Sequence, residues 1–274
     1  MQLVRTVAEL RRTLAGRGDV TLVATMGNLH DGHLSLVQLA RARNGAVVTS
    51  IFVNRLQFAP AEDFATYPRT LERDCEQLAA TGCDVVFAPA EAEMYPDPQG
   101  FTVQPSAALA DVLEGRIRPG FFVGVCTVVL KLLNIVQPAA AVFGKKDYQQ
   151  LLVIRSMVRQ LALPVELVAA PTVREPGGLA LSSRNGYLSE PERVEAARLS
   201  ALLGEVAAAV RAGQTDWPLL ERAALQSLGA RGWQPDYVAI RRQADLGEPA
   251  PGAPLVVLGG ARLGGTRLID NLEI

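Results

Sequence analysis

Apolar runs of strand length alternate with segments of helical periodicity through the first two-thirds of this chain, and that alternation constrains the fold most. The runs at 20–24, 46–53, 84–88, 139–143 and 164–170 are rich in Val and Ala. They are apolar at successive positions, as strands buried on both faces are. Between them lie helical patterns: one beginning with Leu34, Leu36, Val37, Leu39 and Ala40, others at 70–80 and 124–136, and a fourth at 148–161 with Leu151, Leu152, Ile154, Met157 and Val158 on one side. An amphipathic helix over 3–15 precedes the first strand. Strand–helix alternation of this kind predicts an α/β fold, a doubly wound, Rossmann-like parallel sheet.

The alternation stops near residue 172. Beyond it the pattern predicts helices at 190–212 and 216–230 and strands at 236–241, 255–258 and 267–272, the last two joined by a hairpin at Gly264-Gly265. Ser189-Glu190-Pro191-Glu192 supplies the start signal of the first of these helices. The expected organisation is therefore a Rossmann-like domain, 1–172, followed by a smaller α+β domain, 173–274. Arg174 to Gly178 reads as a hinge, 91–100 and 115–120 as loops, and 101–103 as a short strand.

Composition narrows the class further. With 49% hydrophobic and 20% charged residues, the chain has ample material for a core. A net charge of −1 and the lack of a long basic run argue against a nucleic-acid partner. Cys75, Cys83 and Cys126 form no disulfide framework and fit a reducing cytoplasm. Arg5, Glu9, Arg11 and Arg12 leave no signal-peptide core near the start, and Lys131 interrupts the best candidate for a membrane span. A cytoplasmic protein without membrane attachment is expected.

The chemistry concentrates where the first long strand meets its helix: Thr25-Met26-Gly27-Asn28-Leu29-His30-Asp31-Gly32-His33. An open parallel sheet binds ligands at such a turn, and the new helix directs its N–H groups toward anions there. Gly27 and Gly32 let a phosphate approach the backbone. His30 and His33 are the protein's only two histidines. Nearly one helical turn apart, they can address one ligand, and imidazole suits charge developing on a transferred phosphoryl group. The pair also fits half of a zinc site, although no Cys-x-x-Cys spacing completes one, or two helix-start histidines satisfied locally. Phe143-Gly144-Lys145-Lys146-Asp147 repeats the arrangement of strand end, glycine and cationic helix start, and Leu181-Ser182-Ser183-Arg184-Asn185 packs phosphate donors densely. Arg116 and Arg118 lie between Gly115 and Gly120 in another loop, and Gln57 follows the second strand. Each of these is also an ordinary polar turn.

Taken together, TMGNLHDGH (25–33), SIFVN with QF (50–58), YPRTL (67–71), RP (118–119), FG then KDYQQ (143–150), LSSRN (181–185) and RLIDN (267–271) resemble the pantothenate synthetase, or pantoate–β-alanine ligase, family in order and spacing. The resemblance implies a two-step reaction through a pantoyl adenylate, with ATP, pantoate and β-alanine as substrates, Mg2+ accompanying ATP, and a homodimer. It implies catalytic roles for His30, His33, Lys146, Ser182, Ser183 and Arg184. The ATP site would comprise residues 26–33 (Met26, Gly27, Asn28, Leu29, His30, Asp31, Gly32, His33) with Gly144, Lys145, Lys146, Asp147, Val173, Leu181, Ser182, Ser183 and Arg184. Gln57 and Gln150 would hold pantoate, Gln57 also β-alanine, and Asp74 and Gln77 the metal. The second domain would act as a lid that keeps water from the adenylate.

This chain departs from the family pattern at Ala24, at Arg55-Leu56, at Lys145 and at Phe121, where the family has proline, proline–methionine, glutamate and histidine. Arg55 and Lys145 suit a nucleotidyltransferase acting on a phosphorylated acceptor. Phe121 and Lys145 suit a nucleotide-binding protein without turnover.

Overall fold

The computed structural model describes residues 1–58 and 64–274. In chain order its elements are β1 (Gln2–Val4), α1 (Val7–Leu14), β2 (Val20–Thr25), α2 (Asp31–Arg41), β3 (Ala46–Ile51), α3 (Leu71–Thr81), β4 (Val85–Phe87), α4 (Glu91–Met94), α5 (Ala107–Ala110), α6 (Glu114–Ile117), α7 (Phe121–Val136), β5 (Ala140–Gly144), α8 (Tyr148–Gln160), β6 (Glu166–Ala170), α9 (Glu190–Arg211), α10 (Trp217–Ala230), β7 (Gln234–Arg242), β8 (Leu255–Leu263) and β9 (Thr266–Glu273). Single 3-10 turns lie at Arg55–Gln57, Lys145–Asp147 and Ser183–Tyr187.

The chain forms two compact units. The first covers 1–106, 118–145 and 153–171; the second covers 107–117, 146–152 and 172–274. The second thus draws on two segments upstream of the expected boundary at 172/173.

The first unit holds a six-stranded parallel sheet in the order β1-β4-β3-β2-β5-β6. Val23, Val47, Val86, Val142 and Ala170 bury one face beneath Leu36, Val37 and Ala40 of α2 and Leu78 of α3. Leu22, Val48, Val85 and Ala141, one residue out of phase, point to the other face and are fully buried as well. Burial on both sides explains why these strands read as unbroken apolar runs. The chain leaves β2 for β3 and β4 on one side and returns for β5 on the other. Connections therefore diverge at the carboxyl ends of β2 and β5, the switch point where such sheets open a crevice for ligands.

The second unit packs α9 and α10 on the antiparallel sheet β7-β8-β9, with Leu199, Leu203, Leu228, Ile240 and Val257 at its centre. Segment 107–117 is held in this unit by ions and amides. Glu114 accepts from Tyr237 Oη at 2.7 Å and from both terminal nitrogens of Arg267 at 2.7 and 2.8 Å. The Gln149 amide donates to the carbonyls of Leu109 and Val112. Residues 146–152 belong here because Tyr148 and Leu152 are buried with Ala239, Val256 and Leu258.

Several local expectations are corrected. The helix over 3–15 is instead a strand and a shorter helix: Val4 pairs in parallel with Phe87, and a Thr6–Glu9 capping box starts the helix at Val7. The loop at 91–100 begins with one helical turn, which Pro96 forbids from continuing. No strand forms at 101–103; Phe101 is 91% exposed, and the Val103 N–H bonds to Thr127 Oγ1 instead of a neighbouring strand. The loop at 115–120 includes the last part of α6, and α7 starts at Phe121 after Gly120 in the left-handed region. Arg174–Gly178 is a pinned turn, not a loose hinge. Arg174 bridges to Ala180, and its guanidinium grips the buried Asp270 carboxylate in a fork at 2.6 and 2.8 Å.

Candidate functional site

The histidine motif begins where β2 ends. Thr25 Oγ1 donates to the Ser50 carbonyl of β3 at 2.8 Å and accepts from the Gly27 N–H at 3.3 Å, closing the turn. Gly27 (φ 83°) and Asn28 (φ 51°) are then both left-handed. Glycine is needed at the first for a second reason: a Cβ there would lie 3.1 Å from both Asp74 Oδ2 and Ile51 Cγ2. The Asn28 and Leu29 N–H groups donate to the two carboxylate oxygens of Asp74, each at 2.9 Å. Leu29 is buried in the core, which anchors the loop from below.

His30 is the N-cap of α2. Its Nδ1 accepts the Gly32 N–H at 3.1 Å, so the neutral ring carries its proton on Nε2 and presents a donor there. The His33 and Leu34 N–H groups both donate to the His30 carbonyl, at 2.7 and 3.1 Å. This turn brings the two imidazoles to a centroid distance of 4.0 Å with 34° between the planes. Both rings are half-buried and Asp31 is exposed. Two tilted, closely packed imidazoles at a helix N-terminus, beside glycine backbone, are an arrangement chemically suited to an anion.

A second group sits at the carboxyl end of β3. Asn54 is 1% exposed and its amide is fully employed. Nδ2 faces the Gly124 carbonyl at 3.1 Å, an acceptor only, so Oδ1 must face Tyr95 Oη, which donates at 2.8 Å. Burial, and then the nearby Glu91 charge, push the Tyr95 phenol up to about 12, which keeps it a donor. The other Asn54 N–H goes to Gln57 Oε1 at 3.0 Å. That fixes the Gln57 side chain with its own NH2 as the group to offer a ligand. Arg118 stacks on the Phe121 ring at 3.8 Å and donates to the Gln57 carbonyl at 3.0 Å. Arg55 is turned outward, paired with Glu91 at 2.9 Å. Asn54 and Thr70 lie within the SIFVN and YPRTL stretches but carry no assigned role in the sequence, and Tyr95 and Gly124 are contributors that the sequence patterns miss.

The remaining expected residues divide between the units. Gly144 and Lys145, at the end of β5, join residues 26–33, Gln57, Asp74 and Gln77 in the first. Lys146, Asp147, Gln150, Val173 and 181–184 belong to the second. There, Lys146 Nζ lies 3.6 Å from Asp147 Oδ1, and the Asn271 amide holds the Lys146 carbonyl at 2.8 Å. Ser182 caps the turn Ser183–Tyr187 by accepting the Arg184 N–H, and the Leu181 N–H bonds to the Val173 carbonyl. Gln150 is half-buried near the start of α8.

Asp74 does not fit a direct metal ligand. It is 1% exposed, and its oxygens accept from two backbone N–H groups and from the Thr70 hydroxyl, whose Oγ1 lies 3.1 and 3.2 Å from them, so three protein donors already surround a carboxylate that solvent does not reach. Gln77 Oε1 is a buried acceptor without a hydrogen bond among the described residues, a single neutral oxygen. Among the described residues no three His, Cys, Asp or Glu side chains gather as a metal site, and no helix is long and apolar enough to cross a membrane.

Comparison with known proteins shows the family. The family model for pantoate-beta-alanine ligase matches residues 2–273. A pantothenate synthetase of Leptothrix cholodnii is 61% identical over 285 aligned positions, covering all of both chains. A crystal structure of the pantothenate synthetase of Thermus thermophilus superposes with a TM-score of 0.95 at 47% identity, covering 100% of this chain and 99% of that one. The pantoate-beta-alanine ligase of Francisella tularensis, crystallised with a β,γ-ATP ligand and β-alanine, superposes with a TM-score of 0.82 at 32% identity, covering 100% and 97%. The chain belongs to the pantoate–β-alanine ligase family.

Proposed function

We propose that the paired imidazoles at the β2–α2 turn bind the triphosphate of ATP during the ligation of pantoate to β-alanine. The reaction is the family's. A pantoate carboxylate oxygen attacks the α-phosphorus of ATP, and the bond to the bridging oxygen of pyrophosphate breaks. The β-alanine amine then attacks the carbonyl of the pantoyl adenylate, and AMP leaves. Negative charge gathers on the α-phosphate and the departing pyrophosphate, so fixed donors aimed at them are what the first step needs.

The observation that carries this reading is the Gly32 N–H to His30 Nδ1 bond. It leaves His30 with its ring proton on Nε2 at a helix N-terminus, and the His33 ring lies tilted against it at 4.0 Å. Lys146, Ser182, Ser183 and Arg184 would add cationic and hydroxyl donors to the phosphates. Met26, Gly144, Lys145, Asp147, Val173 and Leu181 would line the nucleotide. The oriented NH2 of Gln57 would donate to carboxylate or hydroxyl oxygens of pantoate and to the β-alanine carboxylate, with Gln150 assisting on pantoate. Mg2+ would enter with ATP, held chiefly by phosphate oxygens and water. Family resemblance supports a cytoplasmic homodimer, which sedimentation equilibrium would test.

Product analysis tests the route. Incubation with ATP, pantoate, β-alanine and Mg2+ should yield AMP and pyrophosphate in equal amounts. ADP and inorganic phosphate would instead mean an acyl phosphate, and the adenylate reading would fail.

A further inference from the structure

We infer that Asp74, braced by Thr70, is a positioning residue that sets the histidine motif for adenylate-forming chemistry by holding its backbone rather than by binding a metal. The inference rests on the ligase reading above for its catalytic consequence, but not for its geometry.

Residues 27 and 28 adopt consecutive left-handed conformations, which glycine and asparagine reach more readily than other residues but which still cost free energy at a residue with a Cβ. The compensation is visible. Each oxygen of one buried carboxylate takes the N–H of a successive residue, Oδ2 from Asn28 and Oδ1 from Leu29, both at 2.9 Å. Thr70 Oγ1 lies 3.1 and 3.2 Å from the same two oxygens and fixes the rotation of the carboxylate. Asp74 lies in the first turn of α3, where the helix field favours a carboxylate. Gly27 leaves room for it, since a Cβ would sit 3.1 Å from Oδ2. The chain then passes in two residues from Asn28 to His30, whose Nδ1 must meet the Gly32 N–H to hold its tautomer. Releasing the Asn28 and Leu29 N–H groups frees the turn that aims both rings.

Asparagine at 74 replaces one acceptor oxygen by an NH2 that faces a backbone donor, so Asp74→Asn breaks one of the two clamps. Because His30 and His33 are the only histidines, imidazole 15N–1H correlation spectra report on this motif alone. In the full-length protein at pH 8 without nucleotide or metal, the wild type should show one histidine as the Nε2–H tautomer with Nδ1 as acceptor. Asp74→Asn and Thr70→Val should lose that signature while far-UV circular dichroism is retained, and Thr70→Ser should keep it. Pantoate-dependent pyrophosphate exchange should fall about 100-fold in Asp74→Asn, as misplacing reacting groups by about an ångström does. It should fall roughly 5-fold in Thr70→Val, with one supporting hydrogen bond gone. The apparent Mg2+ midpoint should stay unchanged in both.

An unaltered histidine signature in both variants overturns the inference. So does exchange restored to wild-type level by excess Mg2+, which would make Asp74 a metal ligand. If Asp74→Asn does not fold, Thr70→Val and Thr70→Ser decide between the outcomes. A wild type with the signature but no exchange would count against the ligase reading and leave the clamp standing.

Discussion

Gly124 shows how much can depend on one missing side chain. A Cβ there would stand 2.0 Å from the Leu56 carbonyl oxygen, so only glycine lets α7 pack against the 55–57 turn. The same residue's carbonyl takes the Asn54 amide that orients Gln57. Gly124→Ala is therefore expected to lower stability by about 1–3 kcal/mol through overpacking. It should also raise the KM for β-alanine about tenfold as Gln57 moves. Thermal melting and steady-state kinetics check both; an unchanged KM would separate Gln57's position from substrate binding. Gly27→Ala meets both a positive φ and a 3.1 Å approach to Asp74, and is expected to cost about 1–3 kcal/mol with a large loss of exchange activity. At this scale the sequence is legible only in part. His30, His33, Gly27 and Gln57 stand in recognisable spacing. Asp74 reaches the motif from 45 residues away, and Tyr95 reaches Asn54 from 41. A contact made by tertiary folding leaves no local pattern.

Helix starts are the easiest elements to read, because their chemistry lies within four residues. Ser189 and Glu192 form a reciprocal capping box at the head of α9, where the sequence places the start; Thr6 and Glu9 form another at the head of α1, masked by the apolar residues before it. Ser189→Ala and Thr6→Ala should each cost about 1 kcal/mol, read as a lower denaturation midpoint with an unchanged m-value. β1 is hidden because three residues give too little pattern to separate them from the amphipathic helix that follows. β8 reads too short in the sequence because Gly259-Gly260 looks like a turn. Its glycines serve packing instead. A Cβ at Gly259 would lie 3.0 Å from Leu199 and 3.2 Å from Leu203 of α9, and one at Gly260 would lie 2.7 Å from the Tyr237 ring. Glycine there admits close approach from both faces of the sheet.

On the scale of the molecule, the alternation of β-branched runs with helical patterns is enough to give the doubly wound sheet. The membership of 107–117 and 146–152 in the second unit is not legible, since Glu114 finds Arg267 across 153 residues of sequence. Charge pairs within the second unit also make stability depend on pH. The Glu195 carboxylate is held below its usual range first by its hydrogen bond from Arg231, with the Trp233 indole N–H assisting against the cost of burial. A depressed folded-state pKa stabilises above the unfolded carboxylate value near about 4.3 and is lost as pH falls through the folded value. The pair is partly exposed, so its contribution is at most about 1 kcal/mol. Glu195→Gln should therefore lower Tm by roughly 2 °C at pH 7, and the gap should narrow as the pH falls below the unfolded carboxylate value. A gap that widens in acid would reverse the sign argued here.

The decisive measurement is exchange of labelled pyrophosphate into ATP, with pantoate and Mg2+ and without β-alanine, in the wild type and in His33→Ala. Exchange should require pantoate and drop by at least about 100-fold in the variant, as removal of a donor at developing charge does. A folded, ATP-binding wild type without exchange, or a variant that exchanges as well as the wild type, would contradict the assignment of adenylate formation to this histidine pair.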